Sequence, residues 1–367
     1  MSIFFRSLCA LILLLPLMAA AEDTNLKRTK LGAIVSLTGD AARNGRNWLE
    51  GAQLAIDELQ AEGRQISLVV EDDGTVPARV ATSFVKLATV DRVDGIIGGT
   101  WDFLAETAYP LAKQYRVPFI TPTSPVEILS ANARSNQWVF TNGLSLAAEQ
   151  RAIDKLLSTK SVKTIALVFI NVPYGSSHAE LVRETAKKLG IAVLSENEIT
   201  YQGFQGGIKL AALRIAQKKP EAVFVVLNYE GVDSLLREFE RARVNPMVLM
   251  PHTLQEAFDF GASPKRYENA FGVFPHFSSP TFEKIFTDRY HRPPYDYAAA
   301  GYDAARFMAE VANRRGQEGL DKIDLTYEGV TGKHSLPTGD RSVVKTQASI
   351  MTVRDGLLFS YAKPALP

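Results

Sequence analysis

A strand–helix–strand pattern at residues 95–124 constrains this chain more than any other feature. Short apolar runs at residues 95–98 and 117–120 flank a segment whose apolar residues recur at helical spacing. Two strands joined by a helix run parallel, and turns of small or hydrogen-bonding residues follow both of them, at residues 99–102 and 121–124. Ligands of open parallel sheets bind outside the carboxyl ends of the strands. The unit therefore predicts a binding site for a small polar molecule.

The same alternation of strands and helices continues along most of the chain. It divides into two series, and each series repeats one supersecondary unit with breaks at glycine and proline. The predicted strands lie at residues 31–37, 66–70, 95–98, 117–120 and 138–140, and then at 164–170, 191–194, 222–227 and 247–250. We predict an α/β fold with two doubly wound parallel sheets and right-handed crossovers.

The C-terminal third is less regular. Residues 280–290 and 297–314 have helical periodicity, and residues 349–353 and 357–360 are rich in β-forming residues. Asp355-Gly356 between these two runs predicts a hairpin turn.

The N-terminus has the pattern of a cleavable signal peptide. Arg6 precedes a mostly apolar run at residues 8–18, and three alanines at 19–21 supply a cleavage site. The run is too short to span a bilayer, which disfavours a retained anchor. Cys9 is the only cysteine and lies inside the run. The exported chain is therefore predicted to be soluble, without disulfides, thiol nucleophiles or cysteine metal sites.

The charges nearly balance, with 41 Lys and Arg against 40 Asp and Glu. A nucleic-acid surface is typically basic, so we predict no nucleic-acid partner.

Catalytic and metal-binding motifs are sparse. The five histidines lack metal-ligand spacing, and no P-loop or G-x-G-x-x-G is present. Ser83 begins an S-x-x-K match inside an amphipathic helix, and Ser145 stands in an incomplete nucleophile elbow that is more typical of a helix start. The acids at residues 71–73 favour a turn over a metal site. We predict no catalytic residue, metal or cofactor.

Together these segments resemble the periplasmic solute-binding proteins of the branched-chain amino acid and amide ABC uptake family, which have the type I periplasmic-binding fold. The resemblance spans nearly the whole exported chain in the right order. It is carried by residues 31–39, Gly45, Gly51, and residues 71–73, 96–98, 119–122, 174–175, 219–223, 300–304 and 338–340.

The resemblance implies two lobes joined by three hinge crossings, near residues 140–145, 270–277 and 330–348, with ligand held between the lobes. The implied division is a signal peptide at 1–21, first-lobe segments at 22–143 and 272–330, a second-lobe segment at 144–271, and a last crossing with second-lobe strands at 331–367.

Carried over position by position, the resemblance also implies ligand-binding residues in both lobes: Asn44, Trp101, Asp102, Thr123 and Ser124 in the first, and Tyr174, Asn228 or Tyr229, His252 and Thr253 in the second. Amino-acid binders commonly have a hydroxyl residue at the position of Asp102. Two interpretations of Asp102 stay open: it accepts hydrogen bonds from a ligand amine, amide or hydroxyl, or it turns away and caps the helix that begins near Phe103.

The implied function is that of a monomeric, periplasmic binding protein, not an enzyme, that delivers a small polar solute to an ABC permease in the inner membrane. A ligand-presenting sensor protein of the same fold is the alternative.

Overall fold

A computed structural model describes most of the chain. The described residues are 28–122, 127–200, 202–259, 263–275, 279–314, 320, 323–336, 341–345 and 347–361. The predicted signal peptide, Thr123 and Ser124 lie outside this part of the chain.

The first sheet has five parallel strands. They are β1 (Thr29–Val35), β2 (Ile66–Asp72), β3 (Gly95–Gly98), β4 (Phe119–Thr121) and β5 (Val139–Thr141), and the helices between them are α1 (Ala42–Ala61), α2 (Pro77–Lys86), α3 (Asp102–Tyr115) and α4 (Ala131–Arg134). The order of the strands in the sheet is β2-β1-β3-β4-β5. The central strands are apolar because helices cover both of their faces; Leu31, Ala33 and Ile34 of β1 are completely buried. A π-helical turn, Leu87–Asp91, follows α2.

The second sheet has seven strands. They are β6 (Thr164–Ile170), β7 (Ala192–Ile199), β8 (Ala222–Val226), β9 (Met247–Met250), β10 (Phe271–Pro275), β14 (Ala348–Arg354) and β15 (Leu357–Ser360). Their order in the sheet is β15-β14-β10-β9-β8-β6-β7. β14 pairs antiparallel with both β10 and β15, and the other pairs are parallel. The helices of this part are α5 (Leu146–Thr159), α6 (Pro173–Leu189), α7 (Phe204–Lys218), α8 (Tyr229–Ala242) and α9 (Thr253–Asp259), and a 3-10 turn lies at Pro264–Tyr267. The predicted hairpin is present, since Asp355 and Gly356 form the turn with positive φ.

After β10 the chain returns to the first sheet with two helices, α10 (Pro280–Tyr290) and α11 (Asp296–Arg314). α11 packs very closely on α1. A Cβ on Gly51 would lie 1.8 Å from the carbonyl oxygen of Ala298, and one on Gly301 would lie 2.2 Å from that of Trp48. Only glycine permits this approach of the two backbones.

A small antiparallel sheet follows α11, which the sequence did not predict. Its strands are β11 (Leu325–Glu328), β12 (Lys333–Leu336) and β13 (Val344–Lys345). Leu325, Leu336 and Val343 are buried in the same core as the first sheet. The strands are too short for a period-2 pattern to stand out.

Two of the segments that connect the sheets run side by side. The backbone N–H of Thr141 donates to the carbonyl of Arg341 at 2.9 Å, and the N–H of Val343 donates to the carbonyl of Thr141 at 2.9 Å. The chain thus leaves the first sheet and returns towards the second sheet along adjacent paths.

The predicted fold class, two doubly wound parallel-sheet lobes, is confirmed. We call the first sheet with its helices and the small sheet the first lobe, and the second sheet with α5 to α9 the second lobe; the predicted boundaries between the lobes remain a prediction. None of the helices in the described ranges is long and apolar enough to cross a membrane.

Candidate functional site

A cavity of about 500 Å³ lies between the two lobes. Its walls are the segments that follow the strands of both sheets: residues 101–103 after β3, 172–174 after β6, 227–228 after β8 and 252–253 after β9. This is where a doubly wound sheet offers backbone groups and side chains to a ligand. The volume suits a small organic molecule.

Most of the predicted site residues meet at this cavity. Trp101 and Asp102 line it from the first lobe, and Tyr174, Asn228, His252 and Thr253 line it from the second. Asn44 contacts the lining residue Glu256, whereas Tyr229 packs on the second-lobe core. The two remaining predicted residues, Thr123 and Ser124, lie outside the described residues. Binding of a ligand by this set stays a prediction.

Asp102 is the first residue of α3, so the helix begins one residue earlier than the capping interpretation assumes. The residue at the N-cap position is Trp101, whose side chain makes no capping hydrogen bond. The Asp102 carboxyl lines the cavity. Burial raises its pKa, the nearby Glu106 acts in the same direction, and the N–H of Phe103 acts in the opposite one. Asp102 thus faces the cavity from the first residue of α3, and its contact with a ligand stays a prediction.

The acidic run at the end of β2, residues 71–73, fixes the turn after β1. The Asp72 carboxylate accepts the N–H groups of Leu37 and Thr38 at 2.8 and 3.2 Å and the Thr38 hydroxyl at 2.7 Å. Burial acts to raise the pKa of Asp72, but these hydrogen bonds outweigh it and lower the pKa to about 2. Asp73 accepts the Ser36 hydroxyl at 2.6 Å. These carboxylates hold the loop after β1 in place, which agrees with the interpretation of residues 71–73 as part of a turn.

A buried chain of polar groups supports the second-lobe wall. His178 is fully buried; its Nε2 lies 3.1 Å from a Glu149 oxygen, and its Nδ1 lies 2.7 Å from the Tyr174 carbonyl oxygen. Burial acts to lower the pKa of His178, but Glu149 and the Tyr174 carbonyl outweigh it and the pKa is raised. The histidine and the glutamate form a buried pair beneath the start of α6.

His252 contacts one tyrosine in each lobe, and its contact with Tyr297 joins the lobes. Its Nδ1 lies 3.4 Å from the Tyr174 hydroxyl of the second lobe, and its Nε2 lies 3.4 Å from the Tyr297 hydroxyl of the first lobe. Burial lowers the pKa of His252, so the neutral ring predominates at pH 7. A second contact joins the lobes, from Asn44 Nδ2 to a Glu256 oxygen at 2.6 Å. These contacts hold the lobes together around the cavity.

A smaller cavity of about 40 Å³ adjoins the main one behind this aromatic wall. The two share Tyr174, His252 and Tyr297 in their linings. Asn142 lines the smaller cavity, and its Oδ1 is buried and accepts no hydrogen bond from any described residue. Asp296 lines it too, and burial raises the pKa of Asp296 to about 7. The space is large enough for a water molecule or a similarly small donor group.

Sequence reasoning missed several residues of the cavity wall, among them Asp40, Glu106, Glu256 and Tyr297. Glu256 lies one helical turn after His252, and this spacing was the available signal for it. Tyr297 precedes the segment 300–304 that carried part of the resemblance, but nothing local indicates that it faces the second lobe. No group of three or more His, Cys, Asp or Glu side chains within the described ranges is arranged to hold a metal ion.

Comparison with known proteins identifies the family. A sequence model of the periplasmic binding proteins matches residues 28–356. The chain belongs to this family. The match covers both lobes and the segments that connect them.

Relatives within the family are distant. The Leu/Ile/Val/Thr-binding protein of Salmonella typhimurium is 24% identical over 243 residues, which cover 64% of this chain and 63% of that protein. The aligned part thus spans about three fifths of this relative's length.

Solved structures resemble the whole fold. The branched-chain amino acid transporter substrate-binding protein of Streptococcus pneumoniae, in complex with isoleucine, has a TM-score of 0.78 and 22% identity; the alignment covers 90% of this chain and 98% of that one. A solute-binding protein of an ABC transporter from R. palustris, in complex with benzoate, has a TM-score of 0.74 and 18% identity, with 90% and 95% covered. At these identities the likeness establishes the fold of this periplasmic binding protein.

Proposed function

We propose that this protein binds a small polar solute, such as an amino acid, an amide or a related organic molecule, between its lobes and delivers it to an ABC permease in the inner membrane. The observation that carries the proposal is the cavity of about 500 Å³, whose wall comes from both lobes. The family and the named relatives, which bind amino acids or benzoate, support the same role.

The mechanism needs an equilibrium between open and closed lobes that the solute shifts. A ligand shifts such an equilibrium by its different affinity for the two states, and hinge closure around a ligand is one form of this change. A solute that contacts Asp102 in one lobe and His252 in the other gains the second set of contacts only on closure. The contacts Asn44–Glu256 and His252–Tyr297 then add to the stability of the closed state.

We propose binding rather than catalysis. The two serines that the sequence offers as nucleophiles have structural environments that support this. Ser145 is the N-cap of α5, where its hydroxyl accepts the N–H of Ala148 at 3.2 Å. Ser83 is buried inside α2, away from the cavity lining.

We also propose that the protein works as a monomer in the periplasm after removal of residues 1–21. In periplasmic fractions, N-terminal sequencing should find a chain that starts near Glu22. An intact Met1 in the membrane pellet would contradict export.

Ligand-driven closure is the decisive test. Native mass spectrometry of freshly purified protein identifies a co-purified solute, and small-angle scattering then compares protein stripped by unfolding and refolding with protein saturated with that solute. We expect a smaller radius of gyration with solute. An unchanged radius at saturation contradicts the transport mechanism, and a protein that retains no solute and binds none of a broad set of amino acids, amides and aromatic acids contradicts solute binding itself.

A further inference from the structure

We infer that the cleft is built for a solute that carries a protonated amine and that it disfavours a solute whose only charge is a carboxylate. The inference rests on the proposed function and adds the charge class of the solute. Asp40, Asp102, Glu106 and Glu256 line the cavity, and its described lining contains no lysine or arginine. His252 adds no positive charge near pH 7, because burial lowers its pKa.

The first turn of α3 is not open to a ligand carboxylate. Helix N-termini bind anions through their free N–H groups, and α3 begins at the cavity. Here Asp102 is the first residue of the helix and its carboxyl lines the cavity. A ligand carboxylate at this helix start would lie next to a like charge.

The first turns of two other helices at the cavity each offer one N–H group fewer to an anion. α6 begins with Pro173, which has no N–H to donate. At the start of α8, the Asn228 Oδ1 accepts the N–H of Gly231 at 3.1 Å. On α1, which flanks the cleft, Arg46 donates to the Leu37 carbonyl at 3.0 Å and does not line the cavity.

The remaining groups suit a cation with N–H donors. Carboxylates form strong charge-assisted hydrogen bonds with ammonium groups. Trp101, Phe103, Tyr174 and Tyr297 line the same cavity, and aromatic faces attract organic cations. In the adjoining cavity, the buried Asn142 Oδ1 has no described donor. This oxygen is a hydrogen-bond acceptor separate from the four acids that line the main cavity, and it too would pair with a donor group.

The test uses three probes that share one ring and differ in charge: benzylamine, benzyl alcohol and benzoate. Calorimetry near pH 7 should give the tightest binding for benzylamine, about tenfold tighter than for benzyl alcohol, which corresponds to about 1.4 kcal/mol. Benzoate should bind most weakly. Leucinamide should likewise bind more tightly than leucine, because it lacks the carboxylate.

Substitutions test whether the charge of Asp102 causes the preference for a cationic solute. Asp102→Asn keeps the size of the side chain and removes its charge, so it should weaken benzylamine about tenfold and leave benzyl alcohol nearly unchanged. The matched control is Asp288→Asn, since Asp288 is exposed and pairs with Lys284 on α10; it should change neither affinity. If Asp102→Asn weakens both probes equally, a general loss of packing explains the result and the role of its charge is wrong.

Other outcomes separate the inference from the proposed function. If benzoate binds most tightly, the protein is a solute-binding protein of the opposite charge class and the inference is overturned. If none of the probes binds, the charge of the co-purified solute decides: an amine supports the inference and a carboxylate without an amine overturns it. The absence of both probe binding and any co-purified solute counts against the inference and the proposed function together.

Discussion

The two lobes hold their faces of the cleft in different ways. In the first lobe, carboxylates accept backbone N–H groups of the turns: Asp72 accepts those of Leu37 and Thr38, and Asp73 accepts that of Thr75. In the second lobe, the wall depends on contacts between side chains, with Glu149 and His178 buried beneath it. The first-lobe wall is thus held by hydrogen bonds within its turns, whereas the second-lobe wall depends on the buried pair of Glu149 and His178. The difference predicts which substitutions disturb the site and at which pH.

The largest effect should come from the second lobe. Replacing Glu149 with leucine leaves His178 buried without its partner, and breaking a buried pair on one side costs about 3–5 kcal/mol. We expect a loss of this size in the free energy of unfolding, measured by urea denaturation with circular dichroism at pH 6. A histidine with a raised pKa contributes its stability below its unfolded pKa of about 6.5 and loses the contribution as the pH rises through the folded pKa. The effect should therefore shrink at alkaline pH.

The double variant Glu149→Leu/His178→Leu is the control for this prediction. Replacing a whole buried pair with apolar side chains of suitable volume is often neutral, so much of the lost stability should return. A loss of less than about 1 kcal/mol in the single variant would show that the pair does not hold the second-lobe wall. The comparison between the lobes would then fail.

The sequence predicted the second-lobe sheet better than its polar support. The predicted strands at 164–170 and 247–250 agree with Thr164–Ile170 and Met247–Met250, because strands buried on both faces are continuous apolar runs with clear ends. The pair of Glu149 and His178 joins two different helices, α5 and α6. Neither helix has a local pattern that marks these positions as buried, so the pair was not predictable.

The residues of the cleft also divide into those that the sequence could predict and those that it could not. Trp101, Asp102 and Tyr174 follow strands, where the topology predicts ligand-binding loops, and the family resemblance implied these particular residues. Tyr297 and Glu256 face the cavity only because the lobes come together. Such contacts depend on the hinge geometry, which no short sequence pattern encodes.

An intermediate effect should come from the first lobe. Asp72→Asn removes the charge that accepts the turn N–H groups. The pKa of about 2 against an ordinary value of 3.8 corresponds to at most about 2 kcal/mol, because solvent around this partly exposed carboxylate screens the interaction. The sign is set by the lowered pKa: the contribution is complete above the unfolded pKa and is lost as the pH falls towards 2. Unfolding curves of the wild type and the variant should differ near pH 6 and converge near pH 2.

The neighbouring acid provides the control. Glu71 pairs with the half-exposed Lys86 at 2.6 Å, and exposed ion pairs contribute little to stability. Glu71→Gln should change stability much less than Asp72→Asn does. The free energies of unfolding of the wild type and Asp72→Asn are compared down to pH 2. If their difference stays constant, the Asp72 carboxylate does not hold the turn after β1.

The smallest effect should come from the contact that joins the two faces. Asn44 in α1 donates to Glu256 in α9 at 2.6 Å across the cleft, so Asn44→Ala should destabilise the closed state by about 1 kcal/mol, or roughly fivefold in the ratio of closed to open molecules. Fluorescence energy transfer between dyes on the two lobes measures that ratio. Asn47→Ala is the matched control on the same helix, because Asn47 contacts Arg292 within the first lobe; it should change the stability of that lobe and leave the ratio unchanged. If Asn44→Ala leaves the ratio unchanged too, the contact of His252 with Tyr297 is sufficient to hold the lobes together. Closure would then depend on this aromatic contact, to which the first lobe contributes Tyr297, and the hydrogen bond of Asn44 would add nothing measurable to it.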